Sequence, residues 1–300
     1  MELRYDTLEG LLKAAGEAGT KLSQLVLEHQ AVQMERSTEE IYEEMAQNYR
    51  VMAQAAQEGA KPGIRSTSGL TGGDAYRMKQ ACEGGNTLCG PMFTGAITRA
   101  LAVSELNAAM GRVVAAPTAG SCGILPGALL TFQKEKGASE RDCVMSLFTA
   151  SAVGMVIAEN ACLAGAQGGC QAECGSASAM AAAALVELAG GSLEMISHGV
   201  AIALKNILGL VCDPVAGLVE IPCIKRNAGG VVNALCAAEM ALAGVRSAIP
   251  ADEVILAMKR IGDSMSPALK ETAEGGLAAT PTGKRLYHQV FEGTRMTTNE

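Results

Sequence analysis

Runs of small and aliphatic residues alternate with glycine-dense turns along this 300-residue chain, and that alternation restricts its fold more than any other feature. Val144 to Ala158 is apolar nearly all round, which marks a central helix. Ser176 to Ala189 is rich in alanine and ends at Gly190-Gly191, a helix stop. Ser37 and Glu40 form a capping-box pattern that starts a helix running to Gly59. Further helices are expected over Met92–Met110, 139–163, 192–208, from Cys223 or Lys225 to about 243, and over Pro250–Met265. Arg112–Ala116 reads as extended. Strands are scarce, so the predicted fold is mainly α: a single helical domain whose Gly-rich loops gather at a central site. The expected organisation is an N-terminal helical segment over 1–60, a main domain over 61–279 and a polar C-terminal tail over 280–300. No internal repeat is evident.

Charge and composition remove several function classes. The net charge is −7 and no basic run is present, so neither nucleic acid nor an anionic membrane surface is an expected partner. Aromatic residues make up 3%, too few to build base-stacking platforms. The Val144–Ala158 run stops at Glu159-Asn160, short of the roughly 20 residues that a membrane span needs. The first residues, Met1 to Asp6, contain no apolar core of a signal peptide, which points to the cytoplasm. In that reducing compartment, ten cysteines suggest metal binding or catalysis more than a disulfide framework.

Three loops combine glycine with hydroxyls or backbone donors. The first, Lys61 to Asp74, carries Ser66, Ser68 and Thr71 and lacks P-loop spacing. The second runs from Gly84 to Pro91, and the third, Pro117 to Pro126, carries Thr118 and Ser121. Together they suggest one small, polar, anionic ligand.

The cysteines are richest at two turns. One is Gly168-Gly169-Cys170-Gln171-Ala172-Glu173-Cys174-Gly175, between two apolar helices; the other runs from Cys212-Asp213-Pro214 to Pro222-Cys223. Zinc favours close cysteine pairs; Cys170 and Cys174 form one, and no second exists. Three thiolates from two glycine turns suit a cubane iron–sulfur cluster better, with one iron left open as a Lewis acid. His29 and His198 read as structural or surface residues.

These turns carry a resemblance. Asn160-Ala161, Gly165-Ala166, Gly169 to Glu173, Cys212 to Gly217 and Pro222 to Ala228 resemble the iron–sulfur L-serine dehydratases, as do Ala116 to Gly123 and Glu271 to Ala278. The similarity covers about residues 60–278. Length and the lack of a preceding regulatory-type domain resemble the α chain of the two-subunit form, which implies a separate β chain as partner. By that resemblance Cys170, Cys212 and Cys223 are the ligands of a [4Fe–4S] cluster, and Cys174 serves packing. Cys122 lies outside the ligand set. Single-chain members can end in a cysteine that occupies the open iron. This chain ends Met296 to Glu300 without one, so that self-blocking device is expected to be missing. A histidine that single-chain members carry near the second cysteine turn has no counterpart in Lys205 to Leu208.

The implied reaction is conversion of L-serine to pyruvate and ammonia. Ser66, Ser68, Thr71, Thr118 and Ser121 are candidates to hold the substrate carboxylate. Lys61 is a candidate base, provided that it is buried. The alternatives are a pyridoxal-phosphate elimination, cysteine desulfidation by similar cluster chemistry, and a non-catalytic amino-acid-binding subunit.

Overall fold

The computed structural model describes residues 4–292. Among the described residues thirteen α-helices follow one another: α1 (Leu8–Glu17), α2 (Leu22–Gln33), α3 (Thr38–Gly59), α4 (Asp74–Glu83), α5 (Pro91–Ala108), α6 (Ile124–Lys136), α7 (Glu140–Asn160), α8 (Gly165–Gly168), α9 (Ser176–Leu188), α10 (Leu193–Lys205), α11 (Cys223–Leu242), α12 (Ala251–Ser264) and α13 (Pro281–Phe291). No strand occurs among the described residues; one isolated parallel bridge joins Cys212 to Lys270. The mainly α architecture read from the sequence is the one observed.

Alanine-rich α9 is the axis of the molecule. Ala177, Ala179 and Ala181 to Ala184 are fully buried, and α7, α10 and α11 pack around them. Side chains this small let four helix backbones approach closely and still exclude water, so burial of many methyl groups adds to the few buried aromatics, Phe148 and Tyr49. Gly59 serves the same end between α3 and α5, where a Cβ would collide with the Ala102 carbonyl. The N-terminal helices belong to this core as well: Leu8, Leu11, Leu22 and Val26 are fully buried in the cluster that contains α7 and α9.

Local signals set the helix starts. Ser37 accepts from the Glu40 amide while the Glu40 carboxylate accepts from the Ser37 amide, completing the capping box. Ser139 and Ser192 cap α7 and α10 in the same way, each accepting from the amide three residues on. Helix α7 has 21 residues and a mean hydropathy of 1.4 in its most apolar window, enough by length and composition to cross a bilayer. In this structure 67% of that window is buried among other helices, as befits a core helix.

Three features depart from the sequence reading. Arg112–Ala116 is irregular and pairs with no strand. Helices α4 and α6 form where the sequence pattern marks no element. The tail beyond 280 carries α13, capped by Thr280 and packed on the turn at Val215–Gly217; the last residues, from 293, lie outside the described part.

Candidate active site

Each cysteine of interest arrives on a different element. Cys170 follows Gly169, which takes φ +75 where a Cβ would meet Met265 Sδ and the Leu210 carbonyl; only glycine fits that approach. The next five residues, Gln171–Gly175, form a single π-type turn that leads into α9. Cys212 lies on an extended segment, its amide donating to Leu269 O at 2.9 Å and its carbonyl accepting from Glu271 N at 2.8 Å. Cys223 opens α11. Between these last two the chain turns through Ala216, a non-glycine residue at φ +58 whose strain is held by the bond from Val215 N to Ile221 O. The three thiols are 2%, 3% and 8% exposed, so each is shielded from solvent on a separate support.

The thiols share one electrostatic neighbourhood. Burial, then the charges of Cys170 and Glu173, push Cys223 up to about 12, and the same causes push Cys212 higher still. Cys170 goes the other way: it shares a hydrogen bond with the Cys174 thiol 3.4 Å away, and the Arg226 guanidinium stands beside it. Cys174 thus lies directly against Cys170, packed at the base of the site. A low-dielectric space of this kind disfavours several bare thiolates at once unless a cationic core displaces the protons. Among the described residues no three His, Cys, Asp or Glu side chains converge closely enough to hold one metal ion.

Arg226, one turn into α11, binds the two cysteine turns together. It donates to Asp213 Oδ1 at 2.8 Å and to the Val211 carbonyl at 2.7 Å, and its charge reaches Cys170. Asp213 also accepts from the Leu277 amide at 2.8 Å, which ties in the 275–279 turn. Asn227 is 1% exposed and clamps the third loop: it accepts from Gly123 N at 2.8 Å and donates to Gly120 O at 2.7 Å and Cys223 O at 2.9 Å.

The hydroxyls divide into two groups. Thr118 donates to Glu173 Oε1 at 2.9 Å and lies 3.0 Å from the Ser121 hydroxyl, so the third loop abuts the first cysteine turn. Thr71 donates to the buried Glu220 carboxylate at 2.7 Å, which joins the first loop to the second cysteine turn. Ser66 and Ser68 hold their own loop, bonding one another at 3.2 Å and accepting from the Thr71 and Leu70 amides. Ser68, Ala119, Leu218 and Glu220 line a cleft of about 600 Å³ where these segments meet. Lys61 is exposed at the end of α3 and enters none of the site's hydrogen bonds or ion pairs; the burial that a lysine base requires is absent. The second loop does not join the site. Ten-residue α4 carries the chain about 15 Å onward, and the loop borders a separate cavity of about 920 Å³ with Cys82, Cys89 and Arg99.

Glu173, Arg226, Asn227 and Glu220 were inside the motifs read from the sequence but had no role there. The available signal was their position: charged or amide residues within four of a cysteine, in segments otherwise apolar.

The family model described as "Serine dehydratase alpha chain" matches residues 17–278. A relative from Bacillus subtilis, "Probable L-serine dehydratase, alpha chain", is 48% identical over 96% of this chain and 96% of its own length. "L-serine dehydratase, alpha chain" of Peptoniphilus asaccharolyticus is 44% identical over 96% of this chain and 98% of its own. The longer "L-serine dehydratase" of Streptomyces coelicolor is 40% identical over 91% of this chain, which spans 60% of that relative. With a match running through both cysteine turns and nearly the full chain, the protein belongs to the serine dehydratase α-chain family.

Proposed function

We propose that this chain is the α subunit of an L-serine dehydratase that works with a separate β chain and converts L-serine to pyruvate and ammonia. Cys170, Cys212 and Cys223 are the residues that would hold a [4Fe–4S] cluster. The observation that carries this is the gathering of three buried thiols, each on its own element, in a space where their charges oppose one another. Glycine supports the fit: a Cβ at Gly165 would stand 2.8 Å from Glu173 Oε2 and 2.9 Å from Cys212 Sγ, and one at Gly120 would stand 3.1 Å from Glu173 Oε1. Both backbones leave room where a side chain would crowd the Glu173 carboxylate, and Gly165 spares the Cys212 sulfur as well.

When bound, the cluster supplies Lewis acidity toward the serine hydroxyl, a poor leaving group by itself. The protein's own part is to orient and enclose. The Thr118 hydroxyl, donating to Glu173, holds the third loop against the first cysteine turn, and the Ser121 hydroxyl with free backbone donors of that loop can bind a carboxylate. Arg226 fixes the relation of Cys170 to the Cys212 turn. Loss of the α-proton and of hydroxide leaves an enamine, which tautomerises to an imine, and water hydrolyses the imine to pyruvate and ammonia. All ten cysteines are free thiols, as a reducing cytoplasm favours.

Co-purification with the β chain under anaerobic conditions tests this reading. Iron and sulfide should be present in near-stoichiometric amounts, with broad absorbance near 400 nm and pyruvate formed from L-serine. A colourless, iron-free preparation with full activity ends it.

A further inference from the structure

We propose that the Glu173 carboxylate receives the ammonium group of the amino-acid substrate. This rests on the dehydratase reading above and assigns one more subsite within it.

A buried carboxylate is costly unless it is paired. Most acids in this core have such relief. Asp213 meets Arg226, Glu105 accepts from the Asp74 and Ala75 amides, and Glu187 accepts from the Ser23 amide and the Thr149 hydroxyl. Glu173 has one side-chain bond, from Thr118 to Oε1. Its Oε2 accepts none, and among the described residues no lysine, arginine or histidine nitrogen lies within 4.0 Å of it. The cation beside the thiols, Arg226, is already committed to Asp213, the Val211 carbonyl and Cys170. The unused oxygen belongs to a half-buried side chain, is held in place through Oε1 and is short of positive charge.

Its position suits the substrate. Oε2 and Cys212 Sγ both lie within 2.9 Å of the point where a Gly165 Cβ would stand, so the oxygen is beside the sulfur set. An α-amino acid whose hydroxyl is drawn to the thiol-held group must place its ammonium a few ångströms away, against whatever anion is there. Other acids also meet no cation, but Glu105 and Glu187 are satisfied by N–H and O–H donors, Glu220 faces Thr71 and the cleft near Leu218, and Glu271 is exposed, whereas Glu173 is the half-buried acid among the charges that bear on Cys212 and Cys223. Thr118, by donating to Oε1, aims Oε2.

The test uses the α–β holoenzyme and Glu173→Gln, which keeps the shape and the acceptor for Thr118 but removes the charge. The expected result is a KM for L-serine raised about 10- to 100-fold, the range for losing a hydrogen bond between charged groups. Inhibition by 3-hydroxypropanoate, which has the hydroxyl and carboxylate without the amino group, should be unchanged. Bound iron and the visible spectrum should match the wild type. Parallel weakening of both compounds, or of neither, overturns the assignment, as does loss of iron in the variant. The wild-type enzyme gives a second measurement that needs no variant: L-alanine should compete with L-serine at least tenfold better than propanoate does, and equal competition overturns the proposal. Failure of the dehydratase reading is distinguishable, since the wild type would then make no pyruvate at all.

Discussion

Two regions of this protein pair cysteines with glycine loops, and only one has the makings of a reaction centre. Around α9, Cys170, Cys212 and Cys223 are buried, with half-buried Glu173 and Arg226 and two threonine hydroxyls turned toward acids beside them. On the other side, Cys82 and Cys89 border the 920 Å³ cavity; Cys89 is exposed, and Cys82 contacts the Thr98 hydroxyl at 3.7 Å. The outer region has the space and the inner one has the chemistry. Volume alone marks where atoms are missing. Charges that must share a dry space mark where a ligand is needed, because their cost persists until something neutralises them.

The strongest way to break this contrast is a pair of serine substitutions. Cys212→Ser should abolish bound iron and pyruvate formation, whereas Cys89→Ser should leave both at wild-type levels. Equal loss in both variants would erase the distinction. Next come two glycines. Gly165→Ala places a methyl group within 2.9 Å of Glu173 and Cys212, and turnover should fall about tenfold or more, in keeping with the cost of overpacking. Gly90→Ala meets nothing within 4 Å at φ −68 beside the outer cavity, and its turnover should not change.

Asn227→Ala removes three bonds from a fully enclosed clamp and should lower stability by about 1–3 kcal/mol, read by denaturant unfolding. The KM for L-serine should rise in the same variant, because the third loop is released. A stable variant with unchanged KM would show that the loop positions itself. The smallest effect belongs to neighbouring glycines of α11. Gly229→Ala faces solvent and should stabilise by up to about 1 kcal/mol, while Gly230→Ala, whose Cβ would stand 2.5 Å from Ile124, should destabilise. Equal shifts in melting temperature would mean that α11 does not bury that face.

Much of the fold is legible in the sequence. Ser37, Ser139 and Ser192 announce helix starts through bonds made within four residues, and Gly190 announces a stop, so local chemistry decides those boundaries. Helix α13 was harder to see: its Lys284, Arg285 and His288 make it polar, and it is held by a turn some 65 residues earlier in the chain. At the site, glycine and hydroxyl content named three loops but could not say which would meet. Loops one and three reach the cysteine turns through Thr71 and Thr118, and α4 takes loop two elsewhere. Lys61 was a reasonable base by type, and its exposure was not visible in its neighbours.

The amino-acid order alone determined the helical class, the helix starts and the two cysteine turns, because each depends on contacts between residues a few positions apart. Tertiary structure alone decided that Arg226 would stand at Cys170, that Asn227 would grip the third loop, and that Glu173 would be left without a cation. Those outcomes depend on distances between segments tens of residues apart, and only packing around α9 sets them.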